Sequence, residues 1–342
     1  MKKLLMPLML LCSMIVGCSQ SVSKPKFAIA WSEYPSWSVF GVAAENGMLK
    51  EIADKYGIEV EAKLADYDAC IALYGAGTVQ AVCITNMDIL SSANSIKSTA
   101  IFPTSTSVGA DALITAQAVY ANGKLDKSKL DAILRASPTY GLEKSVSEYA
   151  WSRGIQKNDL NPKDYQFKNL DPAAAALAMQ TKKDGISNVM LWNPFALQTL
   201  RLRDDTKVAF SSELIPGEIV DMVVVSSDTL KKPGGEAFAA CLAEVYYRFN
   251  QKMQEPNSDS LYVQLGAKFS KLNAQDMRLC CKQTQFYSTA SEGAGIYTSK
   301  VFKDNMKSVG DFCVERGIVP KLPVIGFDDP QAQLNFSTKY MK

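Results

Sequence analysis

Residues 57–85, GIEVEAKLADYDACIALYGAGTVQAVCIT, carry two different periodicities in one short run. Alternation of apolar and charged side chains over "GIEVEAKLA" (57–65) predicts a half-buried strand. "DACIALYGAG" (68–77) has the spacing of a helix closed by glycine, and "VQAVCIT" (79–85) is an apolar strand. Strand, helix and strand in that order predict a crossover unit of a parallel sheet. Upstream, "FAIAW" (27–31) reads as a strand and 39–49 as a helix, so the unit extends to β-α-β-α-β. A second series begins near Ala110: "ALITA", a helix near 125–134, "TYGL", a helix over 145–153, "YQFKNL", an alanine-rich helix over 172–181, and "ISNVMLW". The pattern predicts two α/β lobes with mixed, mostly parallel sheets. "IVDMVVVSSDTL" (219–230) is a long apolar strand that crosses back to the first lobe. Mainly helices follow, over 235–253 and 299–316.

The chain has 342 residues, 47% of them apolar and 21% charged, which is enough for two lobes with their own cores. It begins with a basic start and an apolar run from Leu4 to Val16, shorter than the ~20 residues that span a bilayer. This reads as a secretion signal over 1–17. Ile15-Val16-Gly17-Cys18 resembles a bacterial lipobox, so Cys18 is the expected lipid-attachment site and 18–26 a tether. The expected location is the cell envelope, lipid-anchored and facing the periplasm or exterior. Removing Lys2 and Lys3 from the 37 basic residues leaves 35 against 35 acidic, so no nucleic-acid partner is expected. With no histidine in the sequence, the commonest general base and metal ligand are missing. Neither an enzyme nor a bound cofactor or metal is expected. Cys70, Cys83, Cys241, Cys280, Cys281 and Cys313 show no metal spacing and are read as buried thiols with one or two disulfides at most.

In open α/β sheets, ligands collect beyond the carboxyl ends of the strands. The aromatic and polar clusters of this chain fall there. Trp31, Tyr34 and Trp37 follow the first strand, Asp66 and Tyr67 the second, Asn86 and Asp88 the third, and Trp192 and Asn193 the last strand of the second lobe. Glu218 and Asp221 precede the crossing strand. These eleven residues form the expected ligand site. None of the seven arginines lies in the clusters, whereas carboxylates recur in them. Aromatic faces with carboxylates suit a small organic cation. Asp66 and Asp88 also compete for work as helix N-caps.

Several of these segments together resemble a known family. "AWS" with a nearby Trp, "ADKYGIEVE", "DY" with "YGAG", "TNMD", "WNP" and "SSELIPGEIVD" look like the type II periplasmic substrate-binding proteins of ABC importers. The likeness is to the nitrate, sulfonate and thiamine-precursor group. Within it, the binding proteins encoded beside urea carboxylase, which serve urea or guanidine, are the most similar. The resemblance implies the type II periplasmic-binding-protein fold, with a hinge joining lobe 1 (27–109 plus 222–342) to lobe 2 (110–221). It also implies a monomer that captures a small solute and delivers it to an ABC permease in the inner membrane. A cationic or amide-like nitrogen compound is the expected solute. A sulfonate, nitrate or pyrimidine binder, or a receptor subunit, is the alternative.

Overall fold

The computed structural model describes residues 23–267 and 272–341; the leader, Cys18 and the tether as far as residue 22 lie outside the described residues. The chain first lays down β1 (Lys26–Trp31), β2 (Glu59–Leu64), β3 (Ala81–Thr85) and β4 (Ser98–Thr106). It then builds β5 (Asp111–Thr115), a small hairpin of β6 (Tyr120–Ala121) and β7 (Lys124–Leu125), then β8 (Thr139–Gly141), β9 (Phe167–Asn169), β10 (Asn188–Trp192) and β11 (Lys207–Ser211). It returns with β12 (Val220–Ser226) and closes with β13 (Ile325–Phe327) and β14 (Leu334–Phe336).

Two main sheets result. One has seven strands in the order β13-β14-β4-β12-β3-β1-β2, the other five in the order β11-β5-β10-β8-β9. Both are mixed, and every antiparallel pairing in them involves either β12 or β5. These are the two strands on which the chain enters a sheet from the other one. Such a layered α/β body, with helices covering the sheets, buries β1, β3, β4, β5, β10 and β12 almost entirely. Among the described residues no helix is long and apolar enough to cross a membrane.

Four sequence expectations need correction. The helix expected over 39–49 is two helices, Ser38–Glu45 and Met48–Lys55, because Gly47 takes a left-handed φ of 84° between them. Strand β4 escaped the sequence reading. It is rich in Ser and Thr and holds Pro103, which a central strand normally excludes; Pro103 is tolerated where the β12 pairing shifts register. The crossing strand ends at Ser226, whose hydroxyl caps a short helix, Ser227–Leu230. The C-terminal region is not only helical, because β14 pairs with β4 in parallel and extends the larger sheet. All six cysteines of the described residues are free, and five of them are buried.

Candidate functional site

The carboxyl ends of β3 and β10 point toward the space between the two sheets, and the loop after β1 folds over it. The two antiparallel strands bring their first residues to the same edges. Asp221 at the start of β12 pairs with Thr85, and Asp111 at the start of β5 pairs with Trp192. Each sheet therefore offers an aspartate beside the end of a parallel strand.

A small cavity lies there, lined by Tyr34, Trp37, Tyr67, Trp192, Asp111 and Asp221, with Thr85, Val146 and Ile219 completing the wall. Its aromatic side is continuous. Tyr34 and Trp37 have ring centroids 4.9 Å apart, Trp37 stacks on Tyr67 at 5.1 Å, and Tyr67 meets Trp192 edge-on at 5.8 Å. The walls close in on one another and leave room for roughly one water. No Lys or Arg lines it among the described residues.

The acids are held by hydroxyls. Asp221 Oδ2 accepts a 2.6 Å bond from Ser105, and Asp111 Oδ2 a 2.5 Å bond from Ser107. Asp88 stands behind Tyr67. It accepts from the Tyr67 hydroxyl at 2.7 Å, from Thr85 Oγ1 at 2.8 Å and from the Val146 backbone N–H at 3.2 Å. Burial pushes Asp88 and Asp111 up to about 6. Asp221 is driven well above the carboxylate range, first by burial and also by the charge of Asp111. The Tyr34 hydroxyl lies near Asp111, Asp221, Ser107 and Thr284 yet makes no hydrogen bond of normal geometry, and Trp37 Nε1 is likewise buried without a partner. Unused donors and crowded acids thus face one closed space. Among the described residues no three acidic or cysteine side chains are close enough to hold one metal ion.

Of the eleven residues expected from sequence, Tyr34, Trp37, Tyr67, Trp192 and Asp221 line this cavity, and Asp88 buttresses it. The other five point elsewhere. Trp31 lies over Gly41, where an added Cβ would come within 2.1 Å of its ring, so it belongs to the packing of helix Ser38–Glu45 on β1. Asp66 is exposed at the start of helix Tyr67–Gly75 and makes no side-chain cap bond. Asn86 fastens the returning chain, donating to Glu218 O and accepting from Val220 N. Asn193 donates to Gln283 Oε1 and accepts from Leu197 N. Glu218 receives two 2.9 Å bonds from Arg153 and one from Tyr149; burial pulls its carboxyl up, but these bonds prevail and the net shift is down. Sequence reading missed Asp111. Nothing in "SVGADALITA" marks it until the antiparallel pairing with β10 sets it beside Trp192.

Contacts between the two sheets' halves surround the cavity. Trp192 Nε1 donates to Glu33 O at 3.3 Å, and Asp88 meets the first N–H of helix Val146–Lys157. Further out, Arg316 pairs with Glu148, Lys163 with Glu315 at 3.2 Å, and Arg201 with Asp276 at 2.8 Å. The arrangement is a closed cleft.

No family model and no curated protein matches the chain. Solved structures do. The alkanesulfonate-binding protein SsuA from Xanthomonas axonopodis pv. citri, bound to MOPS, superposes with a TM-score of 0.69 at 12% identity, covering 87% of this chain and 96% of its own. The periplasmic aliphatic sulphonate binding protein SsuA from Escherichia coli gives 0.67 at 13% identity, over 88% and 95%. A Candida albicans protein with the generic periplasmic binding protein fold gives 0.60 at 16% identity, over 84% and 90%. These likenesses establish the fold, two α/β lobes of the periplasmic-binding-protein kind.

Proposed function

We propose that this protein is the solute-binding component of an ABC import system and that it captures a small organic cation between its lobes. The cation is of the guanidinium or amine type. One observation carries the proposal: two buried aspartates, Asp111 and Asp221, and four aromatic rings line a closed cavity, a third buried aspartate, Asp88, stands behind Tyr67, and no basic side chain lines the cavity among the described residues. Binding without turnover is the activity this supports, with delivery to a membrane permease.

The solved neighbours described as sulfonate binders make a sulfonate the second reading. The chemistry of this cleft disfavours it. An anion needs a basic side chain or a free helix N-terminus. One helix N-terminus at the cleft, at Val146, is already met by Asp88, and the acids that line the cavity repel an anion that approaches the others. A neutral amide such as urea would gain only hydrogen bonds from the acids, whereas a cation also gains the charge they take on, so a cation suits them better.

Lobe 1 is assigned to 27–109 plus 222–342 and lobe 2 to 110–221, the protein acting as a monomer. Anchoring through Cys18 would keep it beside the membrane. Replacing Cys18 by Ala should release it in membrane fractionation, and firm retention of the variant would remove the anchor from the proposal. The ligand class is tested by thermal shift and calorimetric titration with guanidinium chloride, methylammonium chloride, urea and ethanesulfonate, since a ligand of the folded state raises the midpoint by mass action. Stabilisation by ethanesulfonate but by neither cation would overturn the reading.

A further inference from the structure

The acids of the cleft pose a charge problem. Asp88, Asp111 and Asp221 are each at most 4% exposed; Asp111 and Asp221 line the cavity, and Asp88 stands behind Tyr67. Ser105, Ser107, Thr85, the Tyr67 hydroxyl and the Val146 N–H give them hydrogen bonds, but none of these donors carries a charge. The other titratable groups that face them are Tyr34, Tyr67, Tyr246, Tyr287, Cys83 and Cys313. All six are neutral near pH 7. The nearest ion pair described above, Arg153 with Glu218, already cancels itself. Three like charges buried this deeply would repel one another with little solvent to screen them.

Resting on the cation reading, we infer that capture is an exchange: before the solute arrives the protein keeps some of these three aspartates as neutral acids, and the arriving cation displaces protons from them to solvent. The balance is simple. A cation and a protonated carboxyl become an ion pair, and one proton leaves for each carboxyl newly ionised. Asp111 and Asp221 are the main exchangers, because both border the cavity and the charge of Asp111 adds to the burial that raises Asp221. Burial holds Asp88 and Asp111 up at about 6 and Asp221 well above the carboxylate range, so the exchange falls near pH 6 and above. The sign follows. Acid favours the empty protein, and affinity for the cation rises as the solution becomes less acidic.

The test is calorimetric titration of the full protein with guanidinium chloride and tetramethylammonium chloride near pH 6. Neither probe titrates there, so every proton counted comes from the protein. Plotting binding enthalpy against the ionisation enthalpy of several buffers gives the number of protons released. About one is expected, with Kd weakening about tenfold per pH unit below pH 6 for each proton exchanged. Asp111→Asn should bind with fewer protons released; if that variant does not fold, the wild-type buffer series decides alone. Binding of either cation with no buffer dependence and a flat Kd across the range would overturn the exchange and leave the cation reading standing. Binding of ethanesulfonate with no binding of either cation would remove both.

Discussion

Glu33→Gln changes the pH dependence of stability in a calculable way. Glu33 sits in the loop after β1, 3% exposed, and neither carboxyl oxygen has a hydrogen-bond partner. Burial pushes it from 4.5 up to about 9. Between those two values the unfolded chain has lost this proton and the native protein has kept it. The stability tied to it is therefore complete below 4.5 and is lost as the pH rises through 9. The slope for one proton is ~1.4 kcal/mol per pH unit, so about three units of pH remove up to ~4 kcal/mol. Glutamine has nearly the shape of the neutral acid and does not titrate. Urea melts of both proteins near pH 5.5, 7 and 8.5 should give similar stabilities at the acid end, with the variant ahead by ~2 to 4 kcal/mol at the alkaline end. A wild-type-to-variant difference that stays within ~1 kcal/mol at every pH would show that the carboxyl is solvated, and the buried placement of Glu33 would be wrong.

Three other outcomes follow from the packing. Trp192→Ala should weaken cation binding by ~1 to 3 kcal/mol in calorimetry, whereas Trp151→Ala, a core tryptophan 1% exposed, should cost ~3 to 5 kcal/mol of stability and leave affinity per folded molecule unchanged. Arg153→Met strands the Glu218 carboxylate and should destabilise by ~2 to 4 kcal/mol in denaturant melts, with Glu218→Gln added to it recovering most of the loss. Gly41→Ala forces a methyl into the Trp31 ring and should cost ~1 to 3 kcal/mol by the same melts, with no change in cation affinity; a lost affinity would return Trp31 to the site.

Much of this architecture was legible because local patterns and the global fold agree. The alternation over 57–65 and the apolar run at 79–85 became β2 and β3, flanking β1 in parallel. The rule that ligands gather past strand ends found the aromatic wall, since Tyr34, Trp37, Tyr67 and Trp192 all lie in such positions. It failed where direction, not position, decides. Trp31 ends β1 and faces the helix above it, while Asn86 and Asn193, equally well placed along the chain, spend their amides on backbone and on Gln283. Glu218 looked free until the fold supplied Arg153 from 65 residues away. Asp111 was hidden for the opposite reason. It opens a strand, and only antiparallel pairing carries a strand's beginning to the edge where its neighbours end.

That same pairing bears on how fast a solute arrives. The spans joining the sheets are short, residues 107–110 on the way out and 212–219 on the way back, and Asp111 and Asp221 stand at the first steps beyond them. Parts of a hinged body nearest its pivots travel least when it opens. In an opening about those spans the two acids stay near each other while Tyr67 and Trp192 swing apart, and water reaching the carboxyls lets them shed, ahead of the cation, the protons it replaces. The open protein then presents a negative trough before it presents a cage. Attraction of this kind acts on encounter, so the association rate constant for a cation should fall steeply with added salt in stopped-flow fluorescence, while the dissociation rate, governed by the aromatic closure, should barely move. An association rate indifferent to salt would mean that the acids meet the solute only after the lobes have shut.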